Sequence, residues 1–185
     1  MTNTVAQLDA IRKQITAYCD SQPNIAFDPE NPIVRLHEPT FGADEIFAAT
    51  EILLSTWVTM GRQVKAFEAA FASTHDFAEG VMNNSGSSAN LLAIAALANP
   101  TTQDGLKPGD EVIVSALSWS TTVWPLIQLG LVPVIVDIDQ DTLNIDPGEI
   151  ERAIGPKTRA VMPVHVYGNP CDMDALVDIC HRNNL

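Results

Sequence analysis

The chain has 185 residues, of which 46% are hydrophobic and 18% charged, a composition typical of a well-buried globular α/β domain and not of a disordered segment. Its formal net charge of −13, from 23 acidic and 10 basic residues, argues against a nucleic-acid or anionic-membrane surface, because such surfaces need a basic footprint. We therefore expect neither a nucleic acid nor a membrane as a partner.

The amino terminus lacks the basic and apolar pattern of a signal sequence, and no apolar run is long enough to span a bilayer, so we expect a cytoplasmic protein. Cys19, Cys171 and Cys180 form an odd set without CxxC spacing, which indicates reduced thiols. Cys180 and His181 could be considered with Cys171 as a metal site, but adjacent helical residues point in different directions. We predict no metal.

The first 23 residues have the apolar spacing of an amphipathic helix, and prolines at 23, 29 and 32 then interrupt regular structure. Two more helices are predicted from Ala43 to Leu54 and from Gln63 to Thr74, separated by a turn at Gly61. We expect residues 1–56 to be an N-terminal helical extension that docks on a larger body. Residues 57–185 are predicted to begin the main domain.

From Phe77 onward, short apolar segments alternate with helical ones, which predicts an α/β domain. The predicted strands are Phe77–Met82, Glu111–Ala116, Val132–Ile138 and Thr158–His165, and the predicted helices are Leu91–Ala98, Ser120–Leu129, Pro147–Ile154 and Asp172–Asn183. Apolar strands are typical of a mostly parallel sheet with helices on both faces, which binds ligands at the carboxyl ends of its strands. Because the rhythm would next call for another strand, we expect the chain to be truncated.

The segment from Asn83 to Asn90 is rich in small and hydroxyl residues where a predicted strand turns into a helix. Gly86 can adopt a positive φ and let the backbone approach a ligand, while Ser87 and Ser88 add hydroxyl donors to the free amides of a helix start. The pattern predicts a phosphate site, and an ordinary serine N-cap explains it equally well. Neither a dinucleotide GxGxxG motif nor a P-loop is present.

Six short segments, taken in order, carry a family resemblance. They are Ser85–Ala89, Lys107–Ile113, Gly130–Asp137, Asn144–Asp146, Lys157–Val161 and His165–Pro170. From about Trp57 to its end the chain resembles the DegT/DnrJ/EryC1/StrS family of pyridoxal-phosphate (PLP) enzymes, which transform nucleotide-linked keto-sugars. The resemblance implies the large domain of a fold-type I aminotransferase with PLP as cofactor.

The resemblance also implies roles for individual residues. The turn at Gly86 would cradle the cofactor phosphate, with Ser87 and Ser88 at the positions whose backbone amides the family uses. Trp119 occupies the position whose ring stacks on the pyridine, although taken alone it would better suit a core residue capping a strand end. His165 and Tyr167 would shape the pocket without transferring protons, so His165 is a candidate supporting residue.

The remaining histidines, at positions 37, 75 and 181, lie outside the matched segments, and we assign them to the surface. The acidic partner of the pyridine nitrogen and the Schiff-base lysine of the family would lie beyond Leu185, so we expect no catalytic residue in this segment. Lys65, Lys107 and Lys157 are not substitutes, because they lie on a helix or in turns before strands.

By resemblance, we predict transamination of a nucleotide-linked keto-sugar by an amino donor, in cell-surface polysaccharide or deoxyamino-sugar biosynthesis. The alternative is a sugar 3-dehydratase, in which histidine replaces the lysine. The extended N-terminal segment and the form of residues 84–93 resemble that branch, whereas Trp124 departs from it. A noncatalytic scaffold of the same fold is a further alternative. The family also implies a homodimer, with the segment from Trp57 to Gly61 as an interface element.

Overall fold

The computed structural model describes residues 2–23, 27–33 and 40–185. The helices are α1 (Thr2–Asp20), α2 (Ala43–Leu54), α3 (Arg62–Thr74), α4 (Gly86–Leu97), α5 (Ser120–Gln128), α6 (Pro147–Ala153) and α7 (Met173–Asn183). The strands are β1 (Glu111–Ser115), β2 (Val132–Val136) and β3 (Thr158–Met162), and a short 3₁₀ helix spans Val166–Gly168. The chain divides into two compact units, Met1–Gly80 and Val81–Leu185.

The first unit contains helices α1 to α3. Helix α1 packs on α2, where the Arg12 guanidinium lies 4.3 Å from the centroid of the Phe47 ring and its Nη1 lies 3.6 Å from Asp44 Oδ1. Helix α2 begins after Gly42, whose N–H donates to Glu45 Oε2 at 2.6 Å and so gains an acceptor at the helix start. The three helices predicted for this part of the chain are confirmed to within three residues at each end.

The second unit is built on a three-stranded parallel sheet with the order β2-β1-β3. The central strand β1 pairs with both neighbours, and its residues Val112, Ile113 and Val114 are fully buried. Parallel strands need crossover connections, and helices α5 and α6 lie in the two connections along the chain. The predicted parallel sheet is confirmed.

Helices cover both faces of this sheet. Successive residues of a strand point to opposite sides, so neighbouring residues of β1 pack against different helices. On one face Ile113 packs with Ile150 of α6 and with Leu176 and Ile179 of α7. On the other face Val112 and Val114 pack with Ile94 of α4 and Leu126 of α5. At the edge strand the second face is less well covered, since Ile135 is 61% exposed.

Two predicted strands differ from the structure by more than two residues at an end or throughout. The segment Phe77–Met82 is not a strand: it pairs with none of the three strands, and Phe77 and Val81 are 65% and 69% exposed. Its apolar composition suggested a buried strand, but a strand also needs a hydrogen-bonded partner. Strand β3 ends at Met162 and not at His165, and the next residue, Pro163, has no N–H to continue the ladder.

Along the chain, the first compact unit ends at Gly80 and the second begins at Val81. The domain boundary predicted between residues 56 and 57 stays a prediction. Of the histidines assigned to the surface, His75 and His181 are exposed, and His37 lies outside the described residues. No helix in the described part of the chain is long and apolar enough to cross a membrane.

Candidate functional site

The amino terminus of α4 is capped by Ser85, which has an extended backbone with φ −163° and ψ 160°. Its Oγ accepts a hydrogen bond from the Ser88 N–H at 3.2 Å, and its carbonyl accepts one from the Ala89 N–H at 3.0 Å. The first amides of a helix have no carbonyl acceptor within the helix, and serine suits this position because its hydroxyl oxygen supplies one. The helix therefore begins at Gly86, immediately after this cap.

The cap leaves two backbone amides free. The N–H groups of Gly86 and Ser87 have no acceptor among the residues that the structure describes, as expected for the first positions of a helix. The amide of Ser88, by contrast, is already bound by Ser85. The donors available to an anion are thus the two free amides, the exposed Ser87 hydroxyl and the Ser88 hydroxyl, whose oxygen accepts from Ser85 Oγ at 3.3 Å.

The backbone conformation of Gly86 differs from the one expected from the sequence, whereas the open space beside the residue agrees with the expectation. It is the first helical residue and is not at a positive φ, so the left-handed conformation we considered is absent. A Cβ added at Gly86 would meet no atom within 4 Å. The space beside the Gly86 backbone is therefore open, and both Gly86 and Ser87 are exposed, so a phosphate could approach the backbone at this point.

Trp119 lies at the N-cap of α5, four residues after the end of β1. Its backbone is extended, with φ −71° and ψ 146°, and the residue is 74% exposed. The alternative of a core tryptophan therefore does not describe its position. An exposed indole at the carboxyl edge of a parallel sheet offers a free aromatic face to a planar ring.

Helices α4 and α5 pack against each other and are joined by a side-chain hydrogen bond. Asn90 Nδ2, one turn into α4, donates to the Thr121 carbonyl in the first turn of α5 at 3.2 Å. This contact brings the element that carries Gly86 and the element that carries Trp119 together. Sequence reasoning missed Asn90, although a polar residue within the otherwise apolar segment from Ala89 to Leu97 was a visible signal.

His165 lies on the loop that follows β3. Its Nδ1 accepts the N–H of Cys171 at 3.0 Å, so the proton of the neutral imidazole is on Nε2. The Cys171 thiol donates to the Val164 carbonyl at 3.2 Å, and burial raises the pKa of this thiol. His165 is thus held in one orientation by backbone contacts. Among the residues that the structure describes, no hydrogen bond or ring contact joins it to α4 or to Trp119.

The loop from His165 to Pro170 is organised by Asn144, which is only 3% exposed. Asn144 Oδ1 accepts the Val166 N–H at 3.0 Å, and its Nδ2 donates to the carbonyls of Asn169 at 3.1 Å and Pro170 at 3.0 Å. Tyr167, within this loop, has a left-handed backbone with φ 54° and is 93% exposed. The sequence placed Asn144 in a recognisable segment but gave no sign of this role.

The donor set fits the phosphate of the expected cofactor. Two free amides at the positive end of a helix, hydroxyl donors and open space are what a phosphate group requires. Trp119, which the sequence predicts to stack on the cofactor ring, lies at the N-cap of an adjacent helix that is hydrogen-bonded to the first. The described residues thus offer donors that could hold a phosphate, and an exposed aromatic face.

Comparison with known proteins gives a consistent result. The chain is 47% identical over 150 residues to the GDP-4-keto-6-deoxy-D-mannose 3-dehydratase of Yersinia pseudotuberculosis, covering 81% of this chain and 38% of that protein. It is 36% identical over 155 residues to the GDP-perosamine synthase of Caulobacter vibrioides, covering 83% of this chain and 40% of the relative.

A solved structure of the E. coli GDP-4-keto-6-deoxy-D-mannose 3-dehydratase with bound hydrated PLP matches with a TM-score of 0.74 at 44% identity. The match covers 80% of this chain and 38% of that one. The chain thus spans about two fifths of the length of these relatives. The family described as the DegT/DnrJ/EryC1/StrS aminotransferase family matches residues 39–185, and this chain belongs to it.

Proposed function

We propose that the intact protein is a PLP-dependent enzyme acting on a nucleotide-linked keto-sugar, and that residues 81–185 supply part of its cofactor site. The observation that carries this proposal is the start of α4, where the amides of Gly86 and Ser87 have no acceptor among the described residues and a Cβ added at Gly86 would meet no atom within 4 Å. We assign the cofactor phosphate to these amides and to the hydroxyls of Ser87 and Ser88. The membership of the chain in its family and the PLP in a related structure support the assignment.

Trp119 would provide the aromatic face on which the pyridine ring lies, and its exposure supports this role. His165 would shape the pocket from the loop after β3, with its Nε2 proton available as a donor. When bound, PLP supplies an electron sink that stabilises negative charge on the carbon next to the reacting nitrogen. The residues of this chain would bind and orient the cofactor, while a lysine or histidine beyond Leu185 would carry the proton transfers.

The reaction we place first is transamination, in which the amino group of a donor such as glutamate replaces the keto oxygen of the sugar. The donor then leaves as its keto acid, so atoms and electrons balance between the two substrates. The similarity to a GDP-perosamine synthase supports this reaction. Removal of the C3 oxygen is the second candidate, in which the amino donor is oxidised to its keto acid and releases ammonia, so that its two electrons reduce C3 and the sugar keeps its keto group. The 47% identity to a 3-dehydratase supports this reaction. Both reactions serve the biosynthesis of cell-surface polysaccharides or deoxyamino-sugars.

We further propose a cytoplasmic homodimer in which residues 1–56 form a helical extension and residues 57–185 begin the cofactor domain. The exposed apolar residues Trp57, Val58 and Met60, which are 64%, 69% and 66% exposed, support an interface in this segment. Light scattering of the intact protein should give the mass of a dimer. A monomer at concentrations where the protein turns over substrate would contradict this part of the proposal.

The chemistry can be tested with one labelled donor. The intact protein with PLP is given GDP-4-keto-6-deoxymannose and ¹⁵N-glutamate, and the sugar product is analysed by mass spectrometry. Transamination puts ¹⁵N into the sugar in place of the keto oxygen, whereas 3-dehydration gives a 3-deoxy-sugar without nitrogen. Borohydride reduction gives a second result, because a lysine that holds PLP traps it covalently and a histidine does not. A nitrogen-free 3-deoxy product together with untrapped PLP would overturn our first choice.

A nucleotide-sugar panel extends the same assay. It should include dTDP-linked keto-sugars as well as the GDP-linked compound, since relatives of both kinds are found. Failure to transform any member of the panel, with PLP demonstrably bound, would favour the noncatalytic alternative and contradict the proposed function.

A further inference from the structure

Helix α5 contains a proline that leaves one carbonyl without its helical donor. Pro125 lies inside Ser120–Gln128 and is buried. In a regular helix the carbonyl of residue 121 would accept the N–H of residue 125, and proline has no N–H to give. A half-buried carbonyl without a donor is unfavourable, so the Thr121 carbonyl needs a hydrogen bond from elsewhere.

Asn90 supplies that donor from the neighbouring helix. Its Nδ2 lies 3.2 Å from the Thr121 carbonyl oxygen. Between Ala89 and Leu97, Asn90 is the only residue that is not alanine, leucine or isoleucine. Asparagine forms helices less readily than any of these, so helix formation does not account for its presence. The asparagine of α4 and the proline of α5 therefore form a complementary pair, in which one residue removes a donor and the other replaces it.

This hydrogen bond joins the two halves of the proposed cofactor site. Asn90 lies one helical turn after Gly86, and Thr121 lies two residues after Trp119. We infer that Asn90 is a positioning residue, which fixes the Trp119 ring relative to the phosphate-binding end of α4. The inference rests on the proposed function, because it concerns the same ligand.

A ligand with a phosphate at one end and a ring at the other binds best when both halves of its site are held in register beforehand. Loss of the Asn90 bond would leave the free amides and the indole in place but would loosen their mutual placement. PLP should then bind less tightly and with a less fixed ring. Inorganic phosphate, which uses only the amino terminus of α4, should bind as before.

Three variants of the intact protein test this role: Asn90→Leu, Pro125→Ala and the double variant. Leucine removes the donor at similar volume, and alanine at position 125 restores an N–H to the Thr121 carbonyl within α5. The measurements are the Kd for PLP, the induced visible circular dichroism at saturating PLP, competition by inorganic phosphate, and thermal unfolding without PLP.

For Asn90→Leu we expect about fivefold weaker PLP binding, the scale of one net hydrogen bond, and a reduced dichroism signal at saturation. Phosphate competition should change by less than about twofold, which is well below the effect of losing one hydrogen bond. In the double variant, thermal stability should recover because the carbonyl is satisfied again. PLP affinity and dichroism should stay low, because no bond between the helices has been restored. Pro125→Ala alone keeps Asn90 and should retain the wild-type signals.

Two results would overturn the positioning role while leaving the proposed function intact. One is wild-type PLP affinity and dichroism in Asn90→Leu. The other is recovery of both signals together with stability in the double variant, which would show that Asn90 only satisfies a carbonyl. If the wild-type protein itself bound no PLP, the proposed function would fail, and this inference would fail with it.

Discussion

Replacement of Asn144 by alanine should strongly destabilise the protein. The side chain makes three hydrogen bonds to the loop from His165 to Pro170, at 3.0, 3.1 and 3.0 Å. At a net value of about 1 kcal/mol each, their loss lowers the free energy of unfolding by about 3 kcal/mol. For a domain stabilised by about 5–15 kcal/mol this is a large fraction.

The assay is urea unfolding of the intact protein, with the slope of the transition compared between variants. Asn183→Ala is the matched control, because Asn183 is exposed and makes one side-chain bond, from Nδ2 to the Ile179 carbonyl at 2.8 Å. The control should change stability by no more than about 0.5 kcal/mol. Hydrogen exchange should also rise at the Val166 amide, which loses its acceptor, and in β1 it should rise no more than the loss of global stability requires, because amides of the core exchange through global unfolding.

A loss below about 1 kcal/mol for Asn144→Ala, or a loss equal to that of the control, would refute this reasoning. It would mean that water replaces the side chain at little cost and that the loop does not depend on it. The position of His165 would then need another explanation.

Two further predictions concern single side chains. Trp119→Ala should weaken PLP binding by about 1 kcal/mol, the value of an aromatic pair beyond burial, whereas Trp119→Phe should be mild, as measured by PLP titration. Equal losses for both would show that the indole volume matters and not the aromatic face. The Cys171 thiol should react slowly with iodoacetamide at pH 8, because it is buried and burial raises its pKa. Below the ordinary pKa of a thiol, the buried neutral Cys171 contributes its full share to the free energy of unfolding. That share is lost as the pH rises through the raised pKa of the folded state, so Cys171→Ala should lose less stability at alkaline pH than the wild type. Rapid alkylation of folded Cys171 would contradict this prediction.

The helices and the parallel sheet could be predicted from the sequence because their signals are local. Periodic apolar residues, the serine cap at Ser85 and strand-forming segments of valine and isoleucine give the elements directly. The segment Phe77–Met82 shows the limit of this approach. It has the composition of a strand, but strand formation depends on a pairing partner, which a local pattern does not reveal.

The candidate site was predictable in its small residues and not in its supporting contacts. Gly86, Ser87 and Trp119 stand out by residue type and by their positions after strand-like segments. The roles of Asn90 and Asn144 depend on carbonyls that are 31 and about 25 residues away in the chain, so only the fold brings donor and acceptor together. The hydrogen bond from the Ser88 amide to Ser85 Oγ likewise could not be predicted without the geometry of the cap.

The most direct test of the central claim is PLP retention by the intact protein after gel filtration, compared between wild type, Gly86→Val and Gly42→Val. Gly42 is a matched control, since it also lies at a helix start and an added Cβ there would come no closer than 4.0 Å to another residue. We predict that wild type and Gly42→Val retain the visible absorbance of bound PLP. Gly86→Val should lose it, because the valine side chain fills the space assigned to the phosphate. Without PLP, its thermal stability should match that of the wild type. Undiminished retention by Gly86→Val, or a wild-type protein that binds no PLP, would contradict the account.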